Sequence, residues 1–149
     1  MAAAKGALRI YLDTSVLLAM ICPEPETQGV LGWYRQSQGA TLVSTPWIRT
    51  ELSSALGIKR RTQQLTDAEV PLAWRAGQRI LQTTVCEALV SADFDAAADF
   101  CAEHALKLRG PDALHLAAAR RLGCTEIATL DELMAVAAAR LGLAALALR

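Results

Sequence analysis

The sequence predicts an α/β protein in which a mostly parallel sheet lies between two layers of helices, within one domain over residues 1–149. Short β-favouring apolar runs alternate along the chain with longer segments of helical periodicity, as is typical of parallel sheets with helices on both faces. The chain is 53% hydrophobic, which suits a single domain with a substantial core. We find no internal repeat and no linker that would divide it.

The first half of the chain contains the clearest alternation. The pattern predicts strand 10–12, helix 16–22, helix 27–38, strand 41–44, a helix that ends in the basic run 59–61, and a helical region to residue 81. Pro23 and Pro25 end the first helix, and Thr45-Pro46 supplies a good N-cap and first position for the third. Residues 66–69 fit a capping box, and we expect an irregular start at Pro71.

The second half begins with the least distinct segment. Residues 84–90 fit either a strand or an extended linker, and a helix starting at residues 91–93 follows. The pattern then predicts helix 112–122 after Gly110-Pro111, strand 126–130, helix 131–141 and a final apolar strand 143–148.

Composition and charge narrow the functional classes. The 15 basic and 15 acidic side chains give a formal net charge of zero, so nucleic-acid contacts would have to come from local patches. No apolar stretch is long enough to span a bilayer, and charges interrupt residues 1–9 where a signal peptide would be apolar. We therefore expect a soluble cytoplasmic protein. The four cysteines lack a metal-ligand pattern, and we expect reduced, mostly buried thiols.

Four carboxylates fall at junctions between strands and helices. Asp13 ends the first strand, and Glu51 lies one turn into the helix after the second strand. Asp112 is in the first turn of its helix, and Asp131 directly follows strand 126–130. Each also fits an ordinary structural role, as an N-cap, a solvated helix residue or a partner of the helix dipole. In a parallel sheet, however, these junctions share one edge.

Carboxylates that share an edge would repel one another and lose solvation. A hard divalent cation removes this conflict, since Mg²⁺ and Mn²⁺ prefer oxygen ligands and leave room for water and phosphate oxygens. Helix N-termini at the same edge favour a phosphate. The chemistry that this arrangement suits is metal-assisted hydrolysis of a phosphodiester, with one or two ions.

The motifs around these carboxylates resemble the PIN-domain ribonucleases, specifically the small VapC-type toxins of bacterial toxin–antitoxin pairs. The matching segments are Leu12-Asp13-Thr14-Ser15, Glu51 on the third helix, Asp112-Ala113-Leu114-His115-Leu116-Ala117, and Thr129-Leu130-Asp131-Glu132-Leu133. They cover nearly the whole chain in order, and the segment from Asp112 is the most specific.

The resemblance implies a PIN-like three-layer sandwich and an Mg²⁺- or Mn²⁺-dependent endoribonuclease that leaves 5′-phosphate ends. Asp13, Glu51, Asp112 and Asp131 would be the catalytic, metal-holding quartet. Ser15, Thr14 and Thr129 would hydrogen-bond the quartet or the metal's waters. The implied partners are RNA, a cognate antitoxin and a second copy of the chain, in a homodimer or a larger toxin–antitoxin assembly. A groove between helices is a hypothetical site for an amphipathic antitoxin helix.

Other residues near the motifs receive more modest interpretations. Arg109 and Arg49 are candidates for contact with RNA phosphates. His115, three residues after Asp112, is expected to be a packing or hydrogen-bonding residue, because the metal mechanism needs no histidine base. We expect His104 at the surface.

Several other functions fit parts of the pattern. A PIN-like scaffold could bind RNA or protein without cleaving it, although it need not retain all four acids, and a PIN nuclease could act in RNA processing outside a toxin–antitoxin pair. Phosphotransfer domains also place an aspartate at a strand end. Dehalogenase-type enzymes usually carry Asp-x-Asp, whereas Ser15 stands two residues after Asp13. A dinucleotide-binding domain is excluded because no Gly-x-Gly-x-x-Gly follows the first strand.

Overall fold

The centre of the protein is a five-stranded sheet in which every strand pair is parallel. The computed structural model describes residues 8–146 and 148. Its strands are β1 (Arg9–Leu12), β2 (Thr41–Ser44), β3 (Val85–Cys86), β4 (Glu126–Ala128) and β5 (Ala144–Ala145). Their order across the sheet is β3-β2-β1-β4-β5, so β1 is central. The sequence prediction of a helix-covered parallel sheet is confirmed.

Alternation along β1 divides the core into two layers. Tyr11 pairs with Val43 of β2 on one side and Ile127 of β4 on the other, and these three side chains belong to one buried cluster. Ile10 and Leu12 belong to a second cluster. Because successive side chains of a strand point to opposite faces, the buried part of β1 must supply both layers, and this explains why Ile10, Tyr11 and Leu12, which follow the half-buried Arg9, are all apolar or aromatic.

Helices cover both faces of the sheet. They are α1 (Thr14–Ile21), α2 (Thr27–Gln36), α3 (Trp47–Arg61), α4 (Glu69–Leu81), α5 (Ser91–Ala102), α6 (Gly110–Arg121) and α7 (Glu132–Arg140), with a 3₁₀ turn at His104–Leu106. The first four helices contribute to the cluster of Ile10 and Leu12, whereas α6 and α7 contribute to the cluster of Tyr11. Helix α5 packs on the outside of α6.

A close approach between α4 and α3 holds the segment that carries Glu51. A Cβ atom on Gly77 would lie only 2.6 Å from a δ-methyl of Leu52, the next residue after Glu51, and 3.4 Å from Ile21. Glycine at this position therefore lets α4 pack directly on α3 without displacing the buried Leu52 side chain.

The main differences from the predicted elements lie at their ends. Strand 126–130 stops at Ala128, because the Leu130 N–H donates to Ser15 Oγ at 3.0 Å instead of joining the sheet. Of strand 143–148, only Ala144–Ala145 is strand, and residue 147 lies outside the described residues, as do 1–7 and 149. Segment 84–90 contains the two-residue strand β3.

The start of α4 is more regular than expected. The Thr66 N–H donates to Glu69 Oε2 at 2.7 Å, and the Glu69 N–H donates to Thr66 Oγ1 at 3.3 Å, as in a capping box. Pro71 then lies in the first turn of α4, where its missing N–H leaves no intrahelical hydrogen bond unmade.

Two further expectations concern composition. Cys22 and Cys124 are buried, but Cys86 and Cys101 are exposed, so the expectation of mostly buried thiols holds for only half of the cysteines. Among the described residues, no helix has the length and apolar character needed to cross a membrane.

Candidate active site

The carboxyl ends of β1 and β4 meet at the edge of the sheet where Asp13 and Asp131 follow them. A cavity of about 620 Å³ opens there, and all four carboxylates singled out in the sequence line it, namely Asp13, Glu51, Asp112 and Asp131. The topology thus brings together residues up to 118 positions apart, because β1 and β4 are neighbours and α3 and α6 begin at the same edge.

Asp13 is the most buried of the four, with 6% of its surface exposed. It occupies the N-cap position of α1, yet its side chain makes no capping hydrogen bond. Instead, Oδ2 accepts hydrogen bonds from Ser15 Oγ at 2.5 Å and from Thr129 Oγ1 at 2.8 Å. Oδ1 makes no hydrogen bond to any described residue and is left available for a ligand.

Glu51, like Asp13, accepts its hydrogen bonds through only one carboxylate oxygen among the described residues. Its Oε2 accepts a hydrogen bond from Thr14 Oγ1 at 2.5 Å and another from His115 Nε2. Burial favours a higher pKa for Glu51, but the His115 hydrogen bond and charge, together with Thr14, hold the pKa below its usual value. The buried indole N–H of Trp47 acts in the same direction, although its geometry falls short of a hydrogen bond. Glu51 is therefore an ionised carboxylate at neutral pH.

His115 lies beneath the cavity, with 1% of its surface exposed. Its Nε2 is 3.7 Å from Asp13 Oδ1, and its Nδ1 is 2.9 Å from the Tyr11 hydroxyl. One ligand atom from each of Asp13, Glu51 and His115 lies within 4.8 Å of the others, close enough to surround one ion. Burial favours a lower pKa for His115, but the Glu51 hydrogen bond and the negative charge of Asp13 raise the pKa above its usual value.

Arg109 connects the two remaining carboxylates. Its Nε donates to Asp112 Oδ2 at 3.1 Å, and its Nη2 lies 3.8 Å from Asp131 Oδ2. Burial raises the pKa of Asp112, and the charges of Asp131 and Asp13 add to the increase, while Arg109 opposes it only in part. Negative charge at Asp112 is thus poorly compensated in the protein alone. Asp131 also caps α7, since its Oδ1 accepts from the Met134 N–H at 2.9 Å.

The predicted supporting hydroxyls all lie within hydrogen-bonding distance of the carboxylates. Ser15 and Thr129 bond Asp13, and Thr14 bonds Glu51. Thr129 Oγ1 also accepts from the Asp131 N–H at 3.1 Å, which fixes the start of α7 relative to Asp13. These three hydroxyls bond one oxygen each of Asp13 and Glu51, which we call the inner carboxylates, and the other oxygen of each has no hydrogen bond to a described residue.

The two arginines proposed for RNA contact have different positions. Arg109 lines the acidic cavity and its side chain is 78% exposed. Arg49 does not line this cavity and lies in a neighbouring depression with Pro46, Trp74 and Thr50, the last of which lines both. His104 is exposed, as expected.

Sequence reasoning missed the buried support of the site, formed by Tyr11 and Thr45. Tyr11 Oη is 3.2 Å from Thr45 Oγ1, and burial raises the pKa of Tyr11 far enough to keep it protonated. The only signal in the sequence was the hydroxyl group of each residue. Tyr11 equally fits an ordinary aromatic residue of the core, and Thr45 equally fits a helix N-cap. Thr45 is 0% exposed, so its polar group requires an internal partner.

An apolar groove adjoins the acidic cavity. It has a volume of about 380 Å³, lies between α3, α5 and α6, and shares Trp47 and Pro111 with the cavity. Phe94 lines this groove and is 54% exposed. Apolar surface of this kind favours a partner that covers it.

The donor set fits a hard divalent cation. The four cavity carboxylates offer oxygen ligands, the inner pair has one oxygen each left unbonded, and the charge of Asp112 is poorly compensated. Mg²⁺ and Mn²⁺ take oxygen ligands of this type and retain water. The geometry thus defines an acidic, metal-competent site at the carboxyl edge of a parallel sheet.

Comparison with known proteins assigns the family. The PIN domain family model matches residues 10–140, and the chain belongs to this family, whose members are nucleases. No curated protein matches the sequence significantly.

Solved structures share the fold at low sequence identity. VapC20 from Mycobacterium tuberculosis, described as a sarcin–ricin loop cleaving toxin, has a TM-score of 0.69 at 18% identity, over 86% of this chain and 94% of that one. FitAcB from Neisseria gonorrhoeae has a TM-score of 0.68 at 20% identity, over 93% and 96% of the two chains. VapBC2 from Rickettsia felis, solved with a DNA fragment from its promoter, has a TM-score of 0.66 at 12% identity, over 93% and 98%.

Proposed function

We propose that this protein is a metal-dependent endoribonuclease and the toxin of a toxin–antitoxin pair. The observation that carries the proposal is the placement of four carboxylates around one cavity, with the inner two each held through a single oxygen. Membership of a nuclease family supports the reaction class. The choice of RNA and of Mg²⁺ or Mn²⁺ is our proposal.

Asp13, Glu51, Asp112 and Asp131 would hold the ion. A divalent ion held there would supply a coordinated water of lowered pKa and positive charge next to the phosphate. The protein keeps its inner carboxylates ready through Thr14, Ser15 and Thr129, whose hydroxyls donate to them. These hydroxyls prevent Asp13 and Glu51 from turning towards other donors, and so reduce the reorganisation needed when a ligand arrives.

The substrate side of the cavity combines one exposed cation with a helix N-terminus. The Arg109 side chain is mostly exposed, and its one well-formed hydrogen bond is to Asp112. It can therefore exchange this bond for a contact with an RNA phosphate. The first turn of α6 lines the cavity through Pro111 and Asp112. The N-terminus of a helix carries partial positive charge that favours a phosphate nearby.

An antitoxin and a second copy of the chain are the proposed protein partners. The Rickettsia felis relative was solved as a VapBC2 assembly with promoter DNA, and FitAB was solved bound to a DNA fragment. In this chain, the groove lined by Trp47, Phe94 and Leu114 offers an apolar surface beside the catalytic cavity. An amphipathic antitoxin helix seated there would also obstruct access to the carboxylates.

The deciding experiment incubates the purified, antitoxin-free chain with total RNA in Mn²⁺, in Mg²⁺ and in EDTA. We expect metal-dependent fragments that carry 5′-phosphates. Asp13→Asn, which preserves side-chain shape and removes the charge, should abolish them. Val30→Ala, a buried change on α2 remote from the cavity, serves as a control for reduced stability.

Other results would redirect the assignment. Intact RNA in every lane, from folded protein that binds Mn²⁺, would favour a PIN-like binding scaffold. Cleavage without any inhibitory protein encoded beside the gene would favour an RNA-processing nuclease. Cleavage that persists in EDTA would refute the metal mechanism.

A further inference from the structure

A continuous hydrogen-bond chain runs from the core of the sheet to Glu51. Thr45 Oγ1 lies 3.2 Å from Tyr11 Oη, Tyr11 Oη lies 2.9 Å from His115 Nδ1, and His115 Nε2 bonds Glu51 Oε2. Tyr11 and Thr45 are 0% exposed and His115 is 1% exposed, so bulk water does not compete for the bonds among these three residues, whereas the Glu51 side chain, which is 22% exposed, is the end of the chain that faces the cavity. The chain links β1, the end of β2, α6 and α3.

The chemistry of its last member fixes the role of the imidazole. An ionised carboxylate only accepts hydrogen bonds, so the His115–Glu51 bond requires a proton on Nε2. The proton on Nε2 is required whether the Tyr11 hydroxyl donates a hydrogen bond to Nδ1 or accepts one from it. With its proton directed at Glu51, Nε2 has no lone pair to offer an ion.

We propose that His115 is a positioning residue that sets the orientation of the Glu51 carboxylate, and that it is neither a metal ligand nor a proton acceptor. This inference rests on the proposed metal-dependent function. His115 and Thr14 both bond Oε2, and two donors on one oxygen fix the carboxylate plane and leave Oε1 as its unbonded atom among the described residues.

Tyr11 has a supporting part in the same arrangement. Its ring meets the imidazole edge-on, with 5.6 Å between ring centroids and a 65° angle between planes. This contact and the bond to Nδ1 hold the imidazole in one orientation, in the way that outer partners orient metal-site histidines and carboxylates. Since Tyr11 is fully buried in the central strand, the orientation of Glu51 is linked to the core of the sheet.

Two substitutions separate positioning from packing. In His115→Gln, the side-chain amide places an N–H near the position of Nε2 and keeps a donor for Glu51. In His115→Asn, the shorter amide reaches only the position of Nδ1 and removes that donor. Tyr11→Phe keeps the aromatic packing and tests the same chain should His115→Asn not fold. Val30→Ala is the control for lowered stability at a site remote from the cavity.

The measurement is Mn²⁺ affinity without RNA, from the EPR signal of free Mn²⁺ during titration of metal-free protein. We expect His115→Asn to weaken Mn²⁺ binding by about 10- to 100-fold, and Tyr11→Phe to weaken it by less. His115→Gln and Val30→Ala should stay within about three-fold of the parent, as expected where the donor or the site is preserved.

Each outcome bears on a different part of the proposal. Equal Mn²⁺ affinity in the parent and folded His115→Asn would overturn the positioning role. A directly bound nitrogen in pulsed EPR of the Mn²⁺ complex, lost in His115→Gln, would overturn it by making His115 a ligand. The expected affinities in a protein that cleaves no RNA would support positioning and refute only the nuclease proposal, whereas a parent that binds no Mn²⁺ would overturn both.

Discussion

Arg109 supplies positive charge to Asp112 and Asp131, the two outer carboxylates of the cavity, where a bound metal ion would otherwise supply it. Its guanidinium contacts Asp112 at 3.1 Å and approaches Asp131 at 3.8 Å. A divalent cation bound by these carboxylates would repel the guanidinium and compete for the same oxygens. We therefore predict that Arg109→Gln raises the affinity for Mn²⁺ while it weakens the binding of RNA.

The geometry sets the size of this effect. Unit charges at the observed separations of 3.1 and 3.8 Å interact in water-like surroundings by about 1.3 and 1.1 kcal/mol. A water-like dielectric is appropriate because the Arg109 side chain is 78% exposed. Screening at physiological salt and the entropy of ordering the arginine reduce the total to about 1 kcal/mol. Removal of the guanidinium should then increase Mn²⁺ affinity by about five-fold, and by less at high salt.

Calorimetric titration of metal-free protein with Mn²⁺, at low and high salt, measures this change. Arg49→Gln removes an equal charge from the surface without a contact to the four carboxylates and should leave the affinity unchanged. The KM for an RNA substrate should rise in Arg109→Gln, whereas kcat at saturating metal should change little. An unchanged or lower Mn²⁺ affinity at low salt would refute the view that Arg109 competes with the ion.

Four further predictions concern stability. Mn²⁺ at 100 times its Kd should stabilise the parent by about 2.7 kcal/mol, and Tm should rise by about 5–10 °C in thermal unfolding scans. Asp112→Asn should lose most of this shift yet be at least as stable in EDTA, because burial raises the pKa of Asp112 and disfavours its charged form. Thr129→Val removes a donor to Asp13 and an acceptor for Asp131, and should cost about 1–3 kcal/mol in urea unfolding. Arg121→Met should cost about 2–3 kcal/mol at pH 7, because Asp93 is 1% exposed and accepts hydrogen bonds from Arg121 at 2.6 and 2.9 Å. Burial favours a higher pKa for Asp93, but Arg121 holds the pKa below its usual value. The stability lost in Arg121→Met should therefore shrink as the pH falls below about 4, where the carboxyl becomes protonated first in the unfolded and then in the folded protein. A loss that is constant from pH 7 to pH 3 would contradict that reasoning.

The fold was readable from sequence because its central strands are short and each has consecutive buried apolar or aromatic residues. β1 must fill both faces of the sheet, so every residue from Ile10 to Leu12 is hydrophobic or aromatic, and the run ends abruptly at Asp13. The end of β4 was harder to predict, since Leu130 is apolar and extends the run. Its N–H bonds Ser15, which is 115 residues away, and no local pattern contains that contact.

The same reason explains why the partners of His115 were missed, although its role as a packing or hydrogen-bonding residue was expected. His115 gains its position from Tyr11, 104 residues earlier, and from Glu51, 64 residues earlier. In the sequence, a histidine on a buried helix face gives the same pattern whether it packs in the core, binds a metal ion or orients a carboxylate. The four carboxylates could be anticipated because their positions follow from topology, whereas the hydrogen bonds beneath them depend on side-chain directions that only the assembled fold determines.

The contrast between Asp13 and Asp131 shows how far local sequence rules extend. Both aspartates follow a strand, both have extended backbone, and both occupy the N-cap position of a helix. Asp131 caps α7 in the ordinary way, but Asp13 leaves α1 without a side-chain cap. Two hydroxyl donors, Ser15 and Thr129, hold the Asp13 carboxylate away from the helix N–H groups. A missing cap costs about 1 kcal/mol, which the packing of buried Val16 and Leu17 on the core readily offsets. The Asp13 carboxylate therefore makes no capping hydrogen bond to the backbone of α1, and its Oδ1, which has no hydrogen bond to a described residue, stays available in the acidic cavity.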